Sequence, residues 1–194
     1  MEPPTFREMM FSDFTRIRPQ ANPTWLRVAV LLPFCPGLLA SLFLRGQQCL
    51  VRAGHGRLAF ATRTLCGALT GADVVPGAEV GLGIMMVHPV GMIIGPGSRI
   101  GDNVTFAGSG VLGIRNYDHR DPEAGSEEYP TIGDGVFIGA HAVVLGGVRV
   151  GHYAVVGANS VVRSDVAENS IVSGIPAKHV GYRTAPGDAA VAES

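Results

Sequence analysis

The chain has 194 residues and a formal net charge of -1, with charged residues at only 16%. That balance argues against a basic nucleic-acid binder. Its 27 glycines and 13 prolines fill about one position in five, above the usual share of about 12% yet below the roughly 25 to 30% of low-complexity disorder. Hydrophobic residues at 46% are ample for a core, so the chain folds with many turns.

Residues 1–70 read as an N-terminal helical region. Its first 25 residues lack the basic start and apolar run of a signal peptide. Cys35, Cys49 and Cys66 form no metal or disulfide spacing, which reads as reduced thiols in a cytoplasmic protein. From Val28 to Leu44 no residue is charged, a length close to the roughly 20 residues that span a bilayer. Pro33, Pro36, Gly37 and Ser41 interrupt it. A buried or cap helix is the expectation, with peripheral membrane contact through this apolar segment as the runner-up.

Residues 71–183 are governed by a repeat. From Ile132 an aliphatic residue recurs every six positions through Ile138, Val144, Val150, Val156 and Val162, and four of the six are followed by glycine. An α-helix needs a period of about 3.6 and would be broken by these glycines, whereas hairpin sheets alternate with period two. A period of six fits short strands joined by tight turns, three to a coil, with coils stacked by parallel pairing into a solenoid. Earlier members are Val74, Val80 and Met86, then Ile94, Ile100 and Phe106. The spacing of eight between Met86 and Ile94 brackets His88, a place where regularity gives way. Between Leu112 and Ile132 the repeat stops for 19 residues rich in charge and turn formers, which predicts an expelled loop over 113–131. Residues 184–194 are expected to be a flexible tail.

Three segments, Ala72–Gly81, Met86–Gly95 and Gly174–Lys178, make the chain resemble the hexapeptide-repeat acyltransferases, and most closely the serine O-acetyltransferases and related glycan O-acetyltransferases. The likeness covers roughly residues 35–182. It implies a mainly β fold, a left-handed parallel β-helix, assembled as a homotrimer. It also implies transfer of an acetyl group from acetyl-CoA, without a metal, to a hydroxyl or, less favoured, an amino group. In such enzymes the histidine matching His88 is the general base, and the aspartate matching Asp73 orients it. The chemistry asks for this: a hydroxyl attacks a thioester only as a base takes its proton, and a carboxylate on the second ring nitrogen supports the imidazolium. His119 is the rival base or an acceptor contact, because Tyr117–Pro122 before Pro130–Asp134 is similar to the histidine loop of galactoside and maltose acetyltransferases.

For the co-substrate, the resemblance implies Gly139, Ala140, Gly157 and Ala158 along the pantetheine arm, with Lys178 and Arg183 toward phosphates. Departures from the serine enzymes concern the acceptor. Val87 replaces the aspartate that helps to hold the serine amine, and Glu128-Tyr129-Pro130 replaces the Arg-His-Pro that grips its carboxylate. A sugar or other small hydroxyl metabolite is therefore the expected acceptor, contacted by Val87, Asp118, Arg120, Glu128 and Tyr129. True serine O-acetylation is the alternative. A noncatalytic role and a zinc-dependent, carbonic anhydrase-like role are weaker alternatives, the latter because its coil here carries His141 alone. Gly108–Gly113 spells a dinucleotide fingerprint but lies within the repeat, with no helix to open.

Overall fold

The computed structural model describes residues 3–115 and 129–183. Four helices precede the repeat. Helix α1 (Phe6–Ile17) starts at a capping box, in which Thr5 and Glu8 satisfy each other's backbone N–H groups, an arrangement worth about 1 kcal/mol. The uncharged stretch does not form one helix. α2 (Trp25–Leu31) runs into a single 3-10 turn at Leu32–Phe34, and α3 (Pro36–Arg52) restarts at Pro36, since neither Pro33 nor Pro36 can donate to the preceding turn. Leu38 and Leu44 are buried, but Val30 and Phe34 are exposed. No described helix is long and apolar enough to cross a membrane. α4 (Gly56–Thr70) ends at Gly71, whose φ of 72° is the left-handed cap that glycine adopts without strain.

The strands then follow the period of six. β1 (Asp73–Val74), β2 (Glu79–Val80) and β3 (Met85–His88) make the first coil, and β4 (Ile93–Ile94), β5 (Arg99–Ile100) and β6 (Thr105–Gly108) the second. β7 (Val111–Gly113), β8 (Thr131–Ile132) and β9 (Phe137–Ile138) form the third, interrupted by the loop, and β10 (Val143–Leu145), β11 (Arg149–Val150) and β12 (Val155–Val156) the fourth. β13 (Val161–Val162), a bridge at Val166 and β14 (Ser170–Ser173) follow, and β15 (Lys178–Tyr182) turns back antiparallel on β14. The coils stack into three parallel sheets. Sheet A is β1-β4-β7-β10-β13, sheet B is β2-β5-β8-β11, and sheet C is β3-β6-β9-β12-β14 with β15. In register, every repeat aliphatic lies on another: Val74, Ile94, Leu112, Val144 and Val162 in sheet A, all at most 1% exposed.

Glycine follows the aliphatic for a steric reason. A Cβ on Gly133 would stand 2.7 Å from the His152 nitrogen of the next coil, and one on Gly139 only 2.5 Å from that of Ala158, far inside contact distance. The helical region is clamped to the coils by one buried ion pair. Arg45 of α3 donates to both carboxylate oxygens of Asp13 in α1, at 2.8 and 2.9 Å, and to the carbonyls of Val80 and Gly81. Both side chains are fully buried.

Candidate active site

The site forms at the corner where sheet C turns into sheet A. His88 ends β3 opposite Gly108, and Ile93 opens β4 opposite Val111. Four residues, Pro89–Met92, therefore make this turn, against two in the coil below. The insertion is stitched in place: Gly91 N–H donates to Gly71 O at 2.9 Å, Met92 N–H to Pro89 O at 3.0 Å, and Ser109 Oγ to Val90 O at 2.7 Å. His88 is exposed, and no other described residue hydrogen-bonds its imidazole. Gly108 keeps the space beneath it open, since a Cβ there would lie 3.2 Å from the His88 Cβ. α3 supports the strand from behind; Gly37 is so near the Met86 carbonyl that no side chain fits between them.

Asp73 opens β1 on the other side of the same corner, where its N–H donates to Met92 O. Its carboxylate is taken by a residue the sequence reading missed. Arg63 of α4 donates Nε–H to Oδ1 at 2.5 Å and Nη2–H to Oδ2 at 2.6 Å. These hydrogen bonds hold the Asp73 carboxyl below the usual carboxylate range, with burial only partly opposing them, and the same bonds raise Arg63. The expected Asp73 to His88 hydrogen bond is not formed. An ionised carboxylate offers about four lone-pair sites, so Arg63 does not by itself bar a later bond to the imidazole. Residues 14–72 contain seven arginines and no acid, so any arginine paired within the chain must reach an acid outside that span. Arg45 and Arg63 do so, finding Asp13 and Asp73 at its two borders. That pattern marks Asp13 and Asp73 as partners for arginines of the span, but with seven of them it does not single out Arg63.

Below His88 the corner continues as a column of small residues. Gly108 O accepts from His141 N–H and Ala140 O accepts from Asn159 N–H, so Ala140 and Ala158 occupy successive rungs beneath Gly108. Gly139 and Gly157 run beside them, and a Cβ on Gly157 would meet Ser173 Oγ, the partner of Lys178 across β14 and β15. Lys178 thus stands at the foot of the column. Arg183 does not: its Nη1 donates to Gly135 O at 3.2 Å, at the corner between sheets B and C. His152 is likewise on that corner, its Nδ1 accepting from Asp134 N–H.

Val87 is 44% exposed beside His88 and brings no polar group. Tyr129 differs from expectation. Its ring covers the Gly95–Gly97 turn so closely that a Cβ on either glycine would overlap it. This lies at the corner between sheets A and B, across sheet A from His88. Tyr129 packs against the coil above, whereas Arg115, at the loop's other end, packs against Gly146 and donates to Arg163 O in the coils below. Asp118, His119, Arg120 and Glu128 lie outside the described residues, as does the 184–194 tail.

A stacked six-residue repeat with a histidine at an enlarged corner defines a hexapeptide-repeat acyltransferase, and comparison with known proteins agrees. Residues 129–164 match the family model described as bacterial transferase hexapeptide (six repeats). The chain is 36% identical to the serine acetyltransferase of Mycobacterium tuberculosis over 86% of its own length and 69% of that protein's. It is 35% identical to the enzyme of the same name from Helicobacter pylori, covering 84% of this chain and 89% of the relative. The solved serine acetyltransferase of Neisseria gonorrhoeae superposes with a TM-score of 0.81 at 30% identity, over 93% of this chain and 67% of that one. The chain belongs to the serine acetyltransferase family, and so to the CoA-dependent O-acetyltransferases.

Proposed function

We propose that this protein transfers an acetyl group from acetyl-CoA to the hydroxyl of serine or a closely related hydroxy amino acid, with His88 as general base. The observation that carries the reading is the solvent-open His88 at a corner enlarged by two residues, in a chain 35 to 36% identical to serine acetyltransferases over most of its length. A serine acetyltransferase of the same fold, that of soybean, has been solved complexed with serine. This replaces the sugar acceptor that Val87 and Glu128-Tyr129 predict from sequence, in favour of the stated alternative. Val87 remains the observation favouring a neutral acceptor, since it offers an ammonium group nothing.

In the reaction the His88 imidazole takes the hydroxyl proton while the oxygen attacks the thioester carbonyl. The C–S bond then breaks, and the imidazolium returns the proton to the departing thiol, so His88 ends as it began. The small-residue column from Gly108 to Ala158, closed by Lys178, fits an extended thiol-bearing arm lying against backbone, with Lys178 near its charged end. Arg183 is set too far round the coil for that role.

The assembly is proposed as a homotrimer. The loop leaves and rejoins the coil at the far edge of sheet A from His88, so a ring of three copies packed head to tail around sheet A brings each loop corner to a neighbour's His88 corner. The functional test is thiol release from acetyl-CoA with serine against a panel of sugars and polyols. Serine is expected to be turned over; sugars acetylated with serine inert would overturn the reading.

A further inference from the structure

Beside the His88 corner lies a cavity of about 350 Å³ lined by Phe60, Arg63, Thr64, Gly67, Gly71 and Asp73, among others. Such a volume suits a small metabolite. Its floor is the Gly71–Asp73 segment, which hydrogen-bonds to Gly91 and Met92 of the turn following His88. One wall is the Arg63–Asp73 pair, whose side chains remain 34% and 42% exposed.

The geometry of that pair leaves half of a binding group unused. A guanidinium carries five N–H donors in a rigid fork. Asp73 takes the Nε and Nη2 side; no described residue takes a bond from Nη1, so the Nη1/Nη2 edge is open. Two parallel N–H groups at that edge match a carboxylate's two oxygens. An arginine free to swing on the surface would lose rotamer entropy on binding; one already held by a bidentate partner has less to lose. At the loop positions that match the carboxylate grip of the serine enzymes this chain carries Glu128 and Tyr129, neither of them a cation. Tyr129 is occupied at another corner.

We infer that Arg63, held in place by Asp73, is the specificity residue that binds the carboxylate of the acceptor through its Nη1/Nη2 edge. This rests on the amino-acid reading of the acceptor and adds to it the residue that selects for the acid group. Asp73 then has two duties, fixing Arg63 and presenting a negative charge near which the acceptor's ammonium group can settle. Phe60, Thr64 and Gly67 line the cavity from the same face of α4 as Arg63.

The test uses the full chain and two acceptors, serine and its carboxylate-free counterpart 2-aminoethanol. Arg63→Gln should raise KM for serine about 10- to 100-fold while changing kcat little and leaving KM for acetyl-CoA near wild type, and it should raise KM for 2-aminoethanol far less than KM for serine. Arg63→Lys should recover part of the loss for serine, and thermal melts establish that each variant is folded. An equal loss with both acceptors would make Arg63 merely a support for Asp73 and overturn the inference, as would no loss at all. Calorimetric titration of serine separates the two levels. Arg63-dependent binding without turnover by wild type would uphold the clamp and sink the amino-acid transferase reading, whereas no binding to wild type would sink both.

Discussion

His88 has an open side above Gly108 and no hydrogen-bond partner for its imidazole among the described residues, so it can approach a substrate hydroxyl without first breaking a contact to any of them. His88→Ala should therefore lower kcat by roughly 100- to 10,000-fold, with acetyl-CoA affinity nearly intact by calorimetry; a milder loss than that of His119→Ala would move the base to the loop. Asp73 is not the group that limits activity in mild acid. Its carboxyl is depressed by Arg63, so the stabilisation from the pair is complete above the unfolded carboxylate value of about 3.9 and fades as pH falls through the lower folded value. For a pair this exposed the effect is under about 1 kcal/mol. Denaturant melts should show the gap between wild type and Arg63→Gln constant from neutrality to about pH 5 and closing below pH 4; a gap that opens in acid would contradict it. The fifteen-residue spacing of Asp73 and His88, close to one coil, predicts adjacent rungs; the structure sets them on the two sides of one corner without the hydrogen bond the resemblance implies. The spacing could not reveal that α4 folds back to seize Asp73, since the direction of a helix preceding a solenoid leaves no periodic trace.

At the level of elements, a hexad announces itself because one inward aliphatic and one sterically compelled glycine recur at fixed spacing, and each is needed for coil to stack on coil. The corners also use αL residues that sequence alone marks weakly: Ser109, His141 and Asn159 have φ of 48°, 59° and 56° in successive coils, and of these the histidine and asparagine are residue types enriched there while the serine is not. The helical region was legible only as helical. Its clamp, Arg45 with Asp13, joins residues 32 apart in sequence, and nothing local marks them as partners. Arg45→Met should destabilise the fold by about 3 to 5 kcal/mol, because it leaves the Asp13 charge buried and unpaired. Burial already pushes the Asp13 carboxyl upward against the pull of Arg45. Adding Asp13→Leu to Arg45→Met should restore part of the melting temperature. A double variant less stable than the single one would show that the carbonyls of Val80 and Gly81, rather than the carboxylate, are what Arg45 chiefly serves.

For the whole molecule, the three sheets present different faces. Outward from sheet B stand Glu79, Arg99, Thr131 and Arg149 in register, a column suited to water. Outward from sheet A, below Asp73, stand Ile93, Val111, Val143 and Val161, with Ile93 42% exposed. Sheet C also turns apolar residues outward, Met85, Phe137, Val155 and Ile171, but the four-rung strip of sheet A needs a cover and lies between the two corners that would have to meet across subunits. Val143→Glu places a carboxylate in the middle of that strip. Three copies around an axis would bring three such charges together, at a cost each subunit avoids by staying apart. The variant should sediment as a folded monomer at micromolar concentration, with wild-type helical and sheet content, and should lose nearly all thiol release although His88, Arg63 and Asp73 are untouched. If it sediments as wild type does, sheet A is not the interface. If it becomes monomeric yet keeps full turnover, each subunit carries a complete site, and the loop acts on its own His88.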